Sequence, residues 1–186
     1  QNMGAEVHFM EGEKGKQINY EQLKEELTKN NYDIVTMVQN ETQTGALYNP
    51  QKVREVINEV SSDILLFVDG ISAFGGTEIK FDEWGIDIYV TGSQKCLNAP
   101  QGCPLVCYSQ KAINRMNKIK ANKKFYFSMA LDNNPEYLFA RGLNDLFDSL
   151  LKEGLDKIYK QHYIASKAVR EAIKVLGLNY MAHEEV

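Results

Sequence analysis

Val90-Thr91-Gly92-Ser93-Gln94-Lys95-Cys96-Leu97 is the stretch that decides the fold: a β-branched, strand-like run breaks into small polar residues and ends in a lysine. A lysine just past a buried strand presents its amine to a loop-built pocket at a sheet edge. Upstream, Ile64-Leu65-Leu66-Phe67-Val68 has the same apolar, non-alternating character and ends in Asp69-Gly70. Strands apolar on both faces belong to a mainly parallel sheet with helices on either side. Ligands of such sheets sit beyond the carboxyl ends of the strands. One strand is therefore expected to bring a carboxylate, and another an amine, to a common edge.

Outward from these two runs, strand and helix signals alternate. Glu6-Val7-His8-Phe9 reads as a short strand, followed by a turn at Gly12 to Lys16. Leu23 and Leu27, four apart, predict a helix over Tyr20 to Asn30 capped by Asn19. Asp33 to Val38 is a β-branched strand. A polar loop, Gln39 to Asn49, then leads to Pro50, suited to the first turn of a helix over Pro50 to Ser61 with Val53, Val56, Ile57 and Val60 as its apolar stripe. Ile86 to Val90 continues the sheet. Pro104 to Tyr108 is expected to return antiparallel, because its link from Val90 is too short for a helical crossover. Two long helical patterns follow, Pro135 to Leu151 and Leu155 to Leu176, joined at Gly154. Leu138, Leu143, Leu146, Phe147, Leu150 and Leu151 stripe the first; Ile158, Ile164, Val169, Ile173 and Leu176 stripe the second, and both stripes read as core. Gly177-Leu178-Asn179-Tyr180-Met181 reads as a helix stop leading into a strand.

Composition excludes more than it identifies. The chain has 186 residues, 44% hydrophobic and 25% charged, with a net charge of −4, so no basic stripe exists to neutralise a nucleic-acid backbone. The weak basic concentration from Lys111 to Lys124 reads as a solvated helix and loop. No apolar run approaches the ~20 residues of a membrane-spanning helix. Three cysteines, Cys96, Cys103 and Cys107, have a spacing that matches no zinc pattern. Their odd number predicts reduced thiols in the cytoplasm. Cys107 reads as a buried strand thiol and Cys96 as a small packing group.

The chemistry concentrates in three polar clusters, each expected at a strand's carboxyl end: Gln39 to Gly45, Asp69 to Ser72, and Thr91 to Lys95. Alone, Lys95 reads as an exposed loop lysine and Asp69 as a turn former before Gly70. Together they are the amine and acid that a pyridoxal phosphate (PLP) enzyme requires. The amine forms a Schiff base, and the acid keeps the pyridine nitrogen protonated so that the ring accepts electrons. Thr91 to Gln94 offers small residues and hydroxyls for close approach of a phosphate. Ile71 is placed either to press on a ring face or to pack in the core. Thr42 is placed to meet the cofactor's phenolic oxygen or the substrate, and Glu41 to order its loop through backbone amides.

Gln39-Asn40-Glu41-Thr42-Gln43-Thr44-Gly45, Val68-Asp69-Gly70-Ile71-Ser72-Ala73-Phe74-Gly75-Gly76 and Gly92-Ser93-Gln94-Lys95-Cys96-Leu97-Asn98-Ala99-Pro100-Gln101-Gly102 occur in this order. Together they resemble the class V PLP-dependent aminotransferases, nearest to the serine–pyruvate/alanine–glyoxylate aminotransferase family. The likeness continues weakly to Leu176-Gly177-Leu178. It implies the α/β type I PLP aminotransferase fold, with 1–153 as the central portion of the large domain and 154–186 as the start of the small one. The chain is then expected to be truncated at both ends, lacking a Gly-rich phosphate turn, a ring-stacking aromatic and a carboxylate-binding arginine.

The resemblance makes Lys95 the Schiff-base lysine and Asp69 the partner of the pyridine nitrogen. It also puts Ile71 at the ring-packing position, Gln94 on the phosphate and Thr42 near the ring oxygen. It implies a homodimer with sites at the interface. The implied reaction is transamination between a small amino acid, alanine or serine, and a 2-oxo acid, glyoxylate or pyruvate. Alternatives are another class V reaction, such as 2-aminoethylphosphonate aminotransfer or a lyase or desulfurase reaction, and a non-catalytic fragment. The sequence departs from the family pattern at Gln39, where histidine is common, at Gln43, where serine is usual, and at Asn134-Pro135, which replaces Thr-Pro.

Overall fold

The computed structural model describes residues 5–118 and 137–182. Four strands form one sheet in the order β1 (Ile34–Val38), β2 (Leu65–Asp69), β3 (Ile88–Gly92), β4 (Pro104–Tyr108). The first three run parallel, and β4 returns antiparallel, with Gly92 opposite Pro104 and Ile88 opposite Tyr108. The mainly parallel α/β architecture expected from the sequence is present.

Alternate residues of the central strands feed two apolar layers. On one face Leu66, Val68 and Tyr89 pack with helices α1 (Tyr20–Lys29) and α2 (Pro50–Val60), through Leu23, Leu27, Val53 and Ile57. On the other, Leu65 and Ile88 meet Ala112 of α3 (Gln110–Lys118). This double coverage is why the strands read as continuous apolar runs. Both helices of the first layer start where the sequence predicts. The Asn19 side chain accepts from Gln22 N at 3.0 Å, and the Asn49 side chain accepts from Gln51 N at 2.9 Å, ahead of Pro50 at the first helical position. Each cap satisfies donors that the helix itself leaves unpaired.

At the opposite end of the sheet from the polar clusters, Arg54 of α2 is buried. It donates to Asp87 Oδ2, to Ile64 O at 3.1 Å and to Gly85 O at 2.7 Å. Asp87 also accepts from Leu66 N (2.9 Å) and Ser109 Oγ (2.8 Å). Lys111, read from sequence as solvated, donates instead to Ser62 O and Ile64 O. The network ties α2, β2, β3 and α3 together and fixes the strand starts.

Several expectations require correction. Glu6 to Phe9 forms no strand; His8 Nδ1 lies 2.9 Å from the Tyr32 hydroxyl, so side chains and not a ladder hold this segment. Gly177 to Met181 is not a strand either. It backs onto the turn at Gly15 (φ +77°), where a Cβ would collide with the Met181 carbonyl. Cys107 is exposed, because β4 is an edge strand with little covering it. Helices α4 (Tyr137–Glu153) and α5 (Leu155–Val175) form as predicted and break at Gly154 (φ +95°). Their stripes, however, are not core among the described residues. Leu143 and Ile158 are buried, but Leu151, Ile164, Val169 and Leu176 are 55–71% exposed. Periodicity marks the apolar face of a helix without saying what covers it. Asn134-Pro135 lies outside the described residues.

Candidate active site

The carboxyl ends of β1, β2 and β3 lie side by side, with Val38 opposite Asp69 and Asp69 opposite Val90. Asp69 occupies the last ladder position of β2 and not the turn beyond it. Its carbonyl accepts from Gln39 N at 2.8 Å, and Gly70 N donates to Val90 O at 2.8 Å. The backbone of the acid is thus gripped from both neighbouring strands. The half-buried carboxylate accepts from Ile71 N through Oδ1 at 2.9 Å, and among the described residues no group is hydrogen-bonded to Oδ2. One oxygen sets the direction of the carboxylate and the other is available to a ligand.

The lysine loop is built around two buried anchors. Ser93, 1% exposed, donates its hydroxyl to Pro100 O at 2.6 Å, and its carbonyl accepts from Ala99 N at 3.0 Å. Leu97, 2% exposed, is the second anchor. Between them Lys95 opens a turn closed by Asn98 N donating to Lys95 O at 2.9 Å, with Asn98 in the left-handed region (φ +54°). Lys95 and Gln94 are exposed. Among the described residues the Lys95 amine has no hydrogen bond or ion pair, so its backbone is fixed while its amine is uncommitted. The hydroxyls of Thr91 and Ser93, expected from sequence to favour a phosphate, bond instead to the Gly70 and Pro100 carbonyls. Gln94 folds back over Gly92, where a Cβ would come within 2.6 Å of its Oε1.

The three clusters meet. Cys96 packs against Gly76, at which a Cβ would lie 2.7 Å from the sulfur. Burial pushes the Cys96 thiol above its ordinary pKa. Asn40 Nδ2 donates to Ser72 O at 3.2 Å, and the Thr42 and Ser72 hydroxyls are 2.8 Å apart. Glu41 orders its loop as predicted, accepting from Gln43 N at 3.0 Å. Beside these loops lies a cavity of about 810 Å³ bounded by Asn40, Ser72 and Cys96 on one side and by Tyr159, His162 and Arg170 of α5 on the other. Its lining comprises neighbours of the predicted residues; Thr42, Asp69, Ile71, Gln94 and Lys95 are not part of it. A smaller apolar cavity of about 380 Å³ separates Asn98 to Pro100 from Gly142, Leu143 and Leu146 of α4. Among the described residues no group of three His, Cys, Asp or Glu side chains converges on a metal position. No described helix is long and apolar enough to cross a membrane.

Motif reading misses two residues of this corner. Tyr89 is 3% exposed and donates its hydroxyl to Gln39 Oε1 at 2.8 Å directly beneath Gly70. The available signal was a tyrosine in a fully apolar strand, since a buried phenol needs a hydrogen-bond partner. Ser72, partner of both Asn40 and Thr42, carried no such signal.

The donor set suits PLP: an uncommitted carboxylate oxygen and an uncommitted amine stand on adjacent strand ends, with paired hydroxyls beside them. The class V aminotransferase family model matches residues 1–139. Serine–glyoxylate aminotransferase of Methylorubrum extorquens is 33% identical over 98% of this chain and 50% of its own length. The Arabidopsis thaliana enzyme of the same name is 32% identical over 96% and 48%. Among solved structures, ureidoglycine–glyoxylate aminotransferase from Bacillus subtilis superposes with a TM-score of 0.80 at 29% identity, covering 98% of this chain and 50% of that one. Alanine–glyoxylate aminotransferase from Nostoc superposes at 0.83 with 24% identity, covering 92% and 48%, a likeness of fold alone. The chain spans about half the length of the curated relatives it matches.

Proposed function

This chain belongs to the class V aminotransferase family, and on that premise we propose that it forms the cofactor-gripping part of a PLP-dependent transaminase. The observation that carries the reading is the register pairing of Asp69 with Val90, which puts the acid of β2 beside the strand that leads, five residues later, into Lys95. PLP, when bound, supplies a protonated pyridine ring that takes up the electrons left when a substrate α-proton departs. Asp69 would hold the ring nitrogen through Oδ2, its direction set by the Ile71 amide. Lys95 would hold the cofactor's aldehyde carbon, and its neutral amine, once freed, would take the substrate α-proton and move it to the cofactor C4′. The Thr42–Ser72 pair commits one hydroxyl hydrogen to itself, leaving the other for the ring oxygen. Gln94 would reach the phosphate by unfolding from Gly92, and Ile71 would pack on a ring face.

Serine or alanine as donor and glyoxylate as acceptor are supported by relatives named for serine–, alanine– and L-aspartate–glyoxylate transfer, while pyruvate as acceptor rests on the sequence resemblance alone. Cys96 lends the desulfurase alternative no support: its thiol is packed on Gly76 with a raised pKa, the opposite of an activated thiolate. We read 1–153 as large domain and 154–186 as the start of the small one, consistent with the helix break at Gly154. We also read the protein as a cytoplasmic homodimer.

The test is borohydride trapping, on the chain and on the complete reading frame that contains it. Added PLP should give a visible absorption band, and reduction followed by peptide mapping should find the cofactor on Lys95. Labelling of other lysines only, in the complete protein, refutes the assignment. Labelling of the complete protein but not of the chain identifies the chain as a non-catalytic part.

A further inference from the structure

The Asp69–Gly70 corner rests on a buried tyrosine. Val68 and Tyr89 are register partners on the layer that faces α1 and α2. The Tyr89 ring passes under Gly70, so closely that a Cβ there would overlap the phenol; only glycine leaves the space. The hydroxyl ends on Gln39 Oε1 at 2.8 Å. Gln39, 2% exposed, is itself tied to the acid, because its backbone N–H donates to Asp69 O at 2.8 Å and its carbonyl accepts from Tyr48 N at 2.7 Å. From the acid's backbone the circuit therefore runs through Gln39 main chain, Gln39 side chain and the Tyr89 hydroxyl, and closes as a hard contact beneath Gly70. Thr91 Oγ1 caps it by donating to Gly70 O at 3.4 Å.

We propose that Tyr89, acting through Gln39, is a positioning residue for Asp69: the phenol–amide bond beneath Gly70 sets where the carboxylate meets the ring nitrogen of a bound cofactor. This rests on the reading of Asp69 as that nitrogen's partner. Core packing alone does not account for the arrangement. Phenylalanine would fill the same space against Phe74, whose ring is 5.9 Å away, and the hydroxyl's one described role is the bond to Gln39. Among the described residues the Tyr89 hydroxyl and the Gln39 side-chain oxygen pair with each other, and a shift that parts them leaves two buried polar atoms unpaired, which favours the one geometry. Burial and the neighbouring Asp69 charge push the Tyr89 phenol above its ordinary pKa, so it stays a donor at any working pH.

The experiment is a double-mutant cycle on the complete protein, read as PLP dissociation constants from absorbance titration, with urea unfolding of each apo form alongside. Tyr89→Phe should weaken PLP binding about five- to tenfold, the size of one misaligned buried hydrogen bond. In an Asp69→Asn background the same substitution should change binding by less than about twofold, because groups acting through one another are non-additive. Gln39→Met, which removes the acceptor and keeps the length, should reproduce the Tyr89→Phe effect and serves if that variant is unstable. Unchanged binding in both single variants, or an equal loss with and without Asp69, overturns the proposal and leaves Tyr89 as packing. Failure of the unaltered protein to take up PLP overturns the reading of Asp69, and this proposal with it.

Discussion

Gly70→Ala tests the corner beneath the acid by steric means. A Cβ at Gly70 would lie 2.6 Å from Tyr89 Cε1 and closer still to Cζ and Oη. Carbon–carbon contacts settle near 3.5–4.0 Å, so the phenol, whose Cζ would lie 2.0 Å away, must retreat by about 1.5–2 Å. It cannot do so cheaply: the ring is 3% exposed, packed against Phe74, and its hydroxyl is committed to Gln39. Overpacking costs about 1–3 kcal/mol. Breaking the Tyr89–Gln39 bond in a buried setting costs about 1–3 kcal/mol more. Gly70→Ala should therefore lower unfolding stability by about 2–6 kcal/mol, read as a fall in the urea midpoint at unchanged slope. Pairing it with Tyr89→Leu, which removes the phenol, should shrink the added cost of the alanine to less than about 1 kcal/mol. A loss below about 0.5 kcal/mol for Gly70→Ala alone, or the same loss with leucine at 89, would refute the described contact.

Other outcomes follow from the same geometry. Asp69→Asn should weaken PLP binding roughly 10- to 100-fold, the worth of one charge-assisted hydrogen bond, in an equilibrium titration. Asp87→Asn, which leaves buried Arg54 without its charge partner, should cost about 3–5 kcal/mol in urea unfolding, whereas removing the exposed Arg115–Asp33 pair should change little. Asn49→Ala, which strips the cap of α2, should cost about 1 kcal/mol in the same assay. Because Tyr89 ionises with more difficulty when folded than when unfolded, its contribution is fully present below its ordinary value of about 10 and is lost as pH rises above it. Tyr89→Phe should flatten the fall in stability measured at alkaline pH.

The sheet was legible in the sequence because both of its faces are covered. Leu65 and Leu66 are both buried, so the run carries no alternation, and the short link to Pro104 forces β4 to turn back. The three polar clusters were equally legible, since parallel strands send their carboxyl ends to one edge. What escaped was whatever depends on a partner distant in sequence. Ile164 and Val169 carry a helical stripe, yet their exposure is decided by what packs on α5, which periodicity does not record. Thr91 and Ser93 offer hydroxyls, but nothing local says that Gly70 and Pro100 will claim them. Tyr89 and Gln39 are fifty positions apart, and only the register of β1, β2 and β3 brings them beneath one glycine.

The central claim is that Asp69, at the end of β2, and Lys95, in the loop that follows the neighbouring β3, grip opposite ends of one pyridine ring. Nitrogen-15 NMR of ring-labelled PLP bound to the complete protein tests it most directly. The ring nitrogen should resonate at the protonated position at neutral pH and move to the unprotonated position in Asp69→Asn, while the adduct on Lys95 persists. An identical resonance in both proteins would contradict the account, because the nitrogen would then take its proton from some other group.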